Sequence, residues 1–264
     1  MSEQEYSSPP VHEVVLDLLF REREADDRVF ERIQHAIASV YNQVSALEEN
    51  QIQVIATPGA PSEAASTTRT VGWMGTNVVG EARWLLRCRS QRLTLNMVRS
   101  ASWPSGPYVG WPVIRAEFAK CLELLADEFK DLPVQRAGLR YLNKLALPST
   151  GALATWLNVG IRAPEVLSGL SVFNCRQGWT EIQGHSGLSA LVNLARIKVE
   201  DPSSPPDAVG VLLDIDVYTR DPSTAPTYAR VSDWFNHAHA AERLVFESSI
   251  SNEIRSTLGA IQNA

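Results

Sequence analysis

Cysteine is scarce: Cys88, Cys121 and Cys175 are the only three in 264 residues. An odd, dispersed set makes no disulfide framework, and no C-x-x-C pair supplies half of a zinc site. The thiols are therefore expected to be reduced. No stretch approaches the roughly 18 consecutive apolar residues of a membrane helix. The opening MSEQEYSSPP is polar and lacks the apolar run of a secretory signal. These absences lead to the expectation of a cytoplasmic protein without a membrane partner. Positive charge is not in excess: 24 Lys and Arg stand against 30 Asp and Glu, a formal net charge of −6. That argues against wholesale nucleic-acid binding but leaves room for a local basic patch.

Catalytic signatures are missing too. GHSGLS, from Gly184 to Ser189, is one residue short of a nucleophile elbow and lies between strands, so a hairpin turn is expected. GWMGTNVVG, from Gly72 to Gly80, lacks the Lys-Ser/Thr of a phosphate loop, and its glycines read as strand bends or bulges. No cysteine sits in a recognisable nucleophile pattern with a histidine.

What is present is an ordinary globular composition, 44% hydrophobic and 20% charged. Val11 to Phe20 alternates as a strand, with His12, Val14, Leu16, Leu18 and Phe20 on one face. Glu13 and Asp17 share the other with Val11, Val15 and Leu19. Val29, Phe30, Ile33, Ile37, Val40, Val44 and Leu47 recur at helical spacing, predicting a helix of about six turns. A short strand is expected over 52–57, then a loop from Thr57 to Thr68. Arg83–Cys88 and Leu93–Val98 read as a hairpin with its turn around Ser90. Trp111-Pro112 opens a helix that Leu132-Pro133 ends. A short helical piece around Leu153 to Leu157 follows, then strands at 170–175, 179–184, 188–199 and 209–219. A last helix runs from Ser232 toward Leu258, stopped by Gly259.

The order, strands in meanders between well-separated helices, predicts an α+β protein. Antiparallel-rich sheets would carry long helices on one face. The chain reads as one unit over 1–264, with two loosely similar halves, 9–132 and 133–264.

GLRYLNKLALP, from Gly138 to Pro148, is the most informative stretch. Leu139, Tyr141, Asn143, Leu145 and Leu147 share a face, while Arg140 and Lys144 lie on the back. An amide among leucines needs partners, because burying it unpaired is costly. Asn143 is expected to bond to backbone at a bulge or helix end and so fix register.

Four stretches carry a resemblance: PPVHEVV, LTLNMVRSASWPSGPYVGWPVI, AGLRYLNKLALP and DWFNHAHAAERLVFESSI. Together they resemble a sporadically distributed bacterial family of uncharacterised proteins of about this length. The resemblance spans the chain and would make Pro9, Pro10, Glu13, Pro107, Tyr108, Trp111, Arg140, Tyr141, Asn143, His239, Phe246 and Ile250 signature positions. The loop near Pro202 is longer than that pattern suggests. The resemblance implies one cytoplasmic α+β unit and brings no activity with it.

Three clusters could carry chemistry. Arg83, Arg87, Arg89 and Arg92 point out of the hairpin, and Arg140 and Lys144 out of the later strand. Such a basic sheet face would hold an anionic small molecule, a nucleic-acid backbone or a protein partner. Cross-strand pairing with Glu13 and Asp17 is the plainer reading. Asp214 and Asp216 lie on one side of a strand, as in metal-dependent phosphoryl-transfer sites, but no phosphate-cradling turn precedes them. His237 and His239 point apart on a helix, and His239 can meet Glu242 but lacks a third zinc ligand. The leading expectation is a binding protein that uses the basic face, without metal or cofactor. The alternative is a metal-dependent enzyme acting on a phosphorylated or nucleotide substrate.

Overall fold

The alternation read from Val11 to Phe20 places β2 (Val11–Phe20) at the middle of a sheet, with Val14, Leu16, Leu18 and Phe20 fully buried. The computed structural model describes residues 5–21, 27–55, 63–100, 108–147, 157–159, 174–199 and 208–261. A short strand β1 (Glu5–Tyr6) precedes β2, and α1 (Asp27–Ala38) follows it. Four strands come next: β3 (Gln43–Ile55), β4 (Glu63–Val79), β5 (Ala82–Arg89) and β6 (Arg92–Arg99). Helices α2 (Trp111–Leu124) and α3 (Ala126–Phe129) close the first half. The second half holds β7 (Val134–Leu147), β8 (Asn174–Trp179), β9 (Leu188–Ile197) and β10 (Val209–Thr219). It ends in α4 (Val231–Ser249), α5 (Asn252–Thr257) and β11 (Ala260–Ile261).

Nine strands form one antiparallel sheet in the order β3-β4-β5-β6-β2-β7-β10-β9-β8, and β1 pairs with β11 in a separate ribbon. The fold is α+β, as expected, with the helices packed against the large sheet. In each half the opening strand pairs with the last strand of the following meander, β2 with β6 and β7 with β10. The two opening strands then pair with each other, so both halves share one sheet. Buried residues from the sheet and from α1, α2 and α4 make one hydrophobic cluster, including Ile33, Ile37, Ile114, Phe118 and Phe235. Each such side chain contributes roughly 1.5–3 kcal/mol by leaving water. Among the described residues no helix is long and apolar enough to cross a membrane.

Three helices are shorter than the sequence suggests, and the one expected from Trp111 to Leu132 breaks at Leu125 into α2 and α3. α1 stops at Ala38, and Val44 and Leu47 belong to β3, which pairs with β4 along its length. The ladder to β4 satisfies backbone that a longer helix would have satisfied internally, and tertiary pairing overrides the local period. The junction is tight: a Cβ on Gly75 of β4 would lie 2.6 Å from the Tyr41 ring and 2.5 Å from Ile37. The C-terminal helix breaks at Ile250, whose extended backbone bridges to Leu157. Asn158 stabilises the break by donating its side-chain amide to the carbonyls of Ser248 and Ile250 (3.1 and 3.0 Å). The expected strand over 179–184 is a turn beyond Trp179, with only an isolated bridge from Ile182 to His185. Of the loop expected from Thr57 to Thr68, residues 63–68 instead belong to β4, where they pair with β3, and 57–62 lie outside the described residues, as do Pro107, the helical piece at 153–156 and the start of the strand at 170.

Candidate functional site

Of the six cations expected on the sheet face, Arg92 and Arg140 lie against carboxylates, as does Arg136. Arg92 pairs with Asp17 (Nε–Oδ1 2.6 Å), and Arg136 bridges Asp17 and Asp216 at 3.1 and 2.9 Å. Arg140 grips Asp214 with two hydrogen bonds of 2.7 Å, and Asn193 donates to the same carboxylate at 3.0 Å. Arg87 donates to Asn96, which in turn donates to Glu13. Arg83 and Arg89 are exposed on β5, while Lys144 is half-buried on β7. Strands β6 and β2 intervene between β5 and β7, so the two cation groups sit about 14 Å apart. The ion pairs span four strands, β6, β2, β7 and β10, and hydrogen bonds through Asn96 and Asn193 extend the network to β5 and β9. Asp214 and Asp216, the candidate metal ligands, are held by Arg140 and Arg136, and burial raises the Asp216 carboxyl above its ordinary range against the pull of those arginines. Among the described residues no group of three His, Cys, Asp or Glu is placed to hold a metal ion.

A different site forms on the helix side of the sheet. Four segments enclose a pocket of about 470 Å³: the approach to β2, the turn into α2, the middle of β7 and one face of α4. The approach is extended because Pro9 and Pro10 restrict it. Its carbonyls are tied down, with Arg99 donating to Pro9 and Val11 (3.1 Å each) and the Lys144 amide to Pro10 (2.9 Å). The α2 entry turns on Gly110, whose φ of 80° suits glycine. That turn presents Tyr108 and Trp111 to the pocket. From β7 come Tyr141 and Asn143, adjacent on the same face. Helix α4 contributes His239, Glu242, Arg243 and Phe246, spaced i, i+3, i+4 and i+7 along a single face.

Asn143 plays the structural part expected of it. It is 1% exposed and donates to the carbonyl of Leu213, its partner across the ladder to β10 (3.3 Å). On its other side it faces the bulge in β2, where pairing steps from Val11–Asn143 to Glu13–Leu142. Asn143→Ala should lower stability by roughly 1–2 kcal/mol, a Tm drop of about 3–6 °C in a thermal melt. An unchanged Tm would remove Asn143 from the framework and leave it only a role in the pocket.

His239 is a wall residue. Its ring stacks on Trp111 with centroids 4.5 Å apart, and its Nδ1 is hydrogen-bonded to the Tyr141 hydroxyl at 3.1 Å. Burial, helped by the Arg243 charge, lowers its pKa to about 4, so the imidazole is neutral at neutral pH. Trp111 also donates its indole N–H to Asn236 on α4 at 3.2 Å, fixing the α2 entry against that helix. The Tyr108 hydroxyl, buried near that of Tyr141, finds no aligned hydrogen-bond partner.

Arg243, which lines the pocket, shares the Glu247 carboxylate with Arg255. Arg243 donates to Glu247 at 3.2 Å and lies over the rings of Tyr6 and Phe246 (5.5 and 5.7 Å). Glu247 also accepts from the Tyr6 hydroxyl at 2.8 Å and from Arg255 at 2.9 Å. Glu242 has none of this support. It is 2% exposed, lines the pocket and makes no hydrogen bond within the described chain. Burial drives its pKa up to about 8, opposed by Arg243 and assisted by Glu247.

Comparison with protein-family models, curated proteins and solved structures returns no significant match. The family resemblance therefore rests on its four motifs. Eight of their twelve positions line this one pocket: Pro9, Pro10, Tyr108 and Trp111 from the first half, and Tyr141, Asn143, His239 and Phe246 from the second. Of the others, Glu13 and Arg140 belong to the ion-pair face and Ile250 to the break after α4. Tyr6, Glu242 and Arg243 were not singled out as binding residues by sequence. The available signal was Glu242 itself, a carboxylate within the apolar stripe of Phe235, Ala238 and Phe246.

Proposed function

We propose that the protein binds a small organic molecule in the pocket between β7 and α4. The observation that carries this reading is Glu242, a buried carboxyl with no hydrogen-bond partner among the described residues, at the wall of an aromatic pocket of about 470 Å³. Pockets of this size with a few placed polar groups suit small ligands, and a shifted pKa in a cleft marks a functional site. The sheet face around Arg87 and Arg140 is the weaker candidate for an anion, since its ion pairs would have to be displaced. A second reading, docking of an acidic protein partner, is favoured by the exposure of Arg83 and Arg89 on β5. The metal-dependent enzyme reading has less support, because Arg136 and Arg140 already occupy the two aspartates.

The test uses the seven tryptophans. Protein grown with 5-fluorotryptophan gives a resolved ¹⁹F signal for each, and Trp111→Phe assigns the one at the pocket. Aromatic and polar fragments should shift the Trp111 signal and leave that of exposed Trp179 in place. A fragment library that shifts neither, or shifts only Trp179, overturns the pocket reading.

A further inference from the structure

We infer that the pocket takes a ligand bearing a protonated amine, and that Glu242 is the counter-ion to it. This rests on the pocket reading above and adds the ligand's chemistry. Five groups face Glu242 or influence it. Arg243 and Glu247 lie on its own helix, Tyr141 comes from β7, Tyr108 from the α2 entry and His239 from the preceding turn of α4. Arg243 is the only cation among them, and it is already engaged with Glu247 at 3.2 Å, a carboxylate that it shares with Arg255. His239 is neutral and bonded to Tyr141. Among the described residues no donor is hydrogen-bonded to Glu242; the unpartnered Tyr108 hydroxyl lies near it without making that bond.

An incoming ammonium group supplies it. The ammonium would form a charge-assisted hydrogen bond to the carboxylate. The rings of Tyr108, Trp111 and Tyr141 line the pocket, and aromatic rings attract a cation that meets their faces. An anion would meet the opposite situation, a carboxyl that must stay protonated and a wall of aromatic faces. A neutral ligand would leave Glu242 without a strong partner in its charged form.

The linkage gives the proposal a sign. The empty pocket holds Glu242 protonated at pH 7, because its pKa is about 8. Ammonium binding requires the carboxylate, so the proton leaves to solvent. Affinity should rise about tenfold per pH unit below pH 8 and level off above it. Roughly 0.9 proton should be released per ligand bound at pH 7. Calorimetry in buffers of different ionisation enthalpy measures that number.

Three probes share one ring and differ in charge: phenethylamine, 2-phenylethanol and 3-phenylpropionate. Their affinities are read from the Trp111 ¹⁹F signal at pH 6.5 and 8.5. Phenethylamine should bind at least about tenfold tighter than the alcohol at pH 8.5, with proton release, and Glu242→Gln should erase the preference. Equal binding of amine and alcohol overturns the inference while the pocket stands. Tighter binding of 3-phenylpropionate, or an amine preference that survives Glu242→Gln, overturns it in the same way. If no probe moves the Trp111 signal, the pocket reading falls with it.

Discussion

Arg140→Met should destabilise the protein by about 2–3 kcal/mol, measured by urea unfolding at neutral pH. The substitution removes both 2.7 Å hydrogen bonds from Asp214 and leaves that carboxylate, 5% exposed at its side chain, with Asn193 alone. An orphaned buried charge costs more than the pair ever contributed. The Arg140 side chain is itself 47% exposed, which places the effect below that of a fully enclosed pair. Adding Asp214→Leu should return most of the loss, because an apolar pair on the sheet carries no unmet charge. Were Arg140→Met neutral instead, Arg140 would be free to serve a ligand, as its place on a basic face first suggested.

Glu242→Gln should act in the opposite direction and stabilise the empty protein. The folded-state pKa of Glu242 is about 8, above its ordinary value of 4.5. The contribution of this group is therefore fully present below about pH 4.5 and is lost as pH rises through 8. By pH 8 the loss is on the order of a few kcal/mol. Glutamine does not titrate and escapes it. Variant and wild type should unfold together near pH 4.5 and diverge steadily up to pH 8.5, with the variant the more stable. Parallel curves across that range would mean that Glu242 ionises normally and that burial does not govern it. A residue that weakens the empty protein yet completes a ligand site is what a binding function predicts.

Much of the architecture was legible locally. Alternation in β2 and β7 assigned their buried faces correctly, and Trp111-Pro112 marked the start of α2. The place of Asn143 followed from the cost of burying an amide. What local pattern could not give was pairing over distance. The first part of β3, with Val44 and Leu47, reads as helix by its period, while the strand expected over 52–57 meets only its end, and the ladder to β4 makes the whole one strand. The pocket joins residues 6–11, 108–112, 141–143 and 239–246, and no periodicity links such segments. The motifs of the resemblance had already marked most of its walls, though as scattered positions. Glu242 stood in the same motif as His239 and was weighed only as a zinc partner. Its meaning depended on what failed to surround it, which no spacing reveals. Arg87, Arg92 and Arg140 reach partners on one face of the sheet, but that face is not simply basic. Its balance depended on Asp214 and Asp216, carried by a strand that comes to lie beside β7.

The pairing of β2 with β7 also bears on how the chain is made. As it emerges during synthesis, β2 can join β6 while β7 is still missing, so one edge of β2 waits open in the interval. An open edge invites pairing with other chains. Glu13 and Asp17 lie along β2, and charges of this kind discourage such strangers. When β7 arrives it brings Arg136, which bonds to Asp17. The residue that guards the unfinished edge becomes a fastening of the finished one.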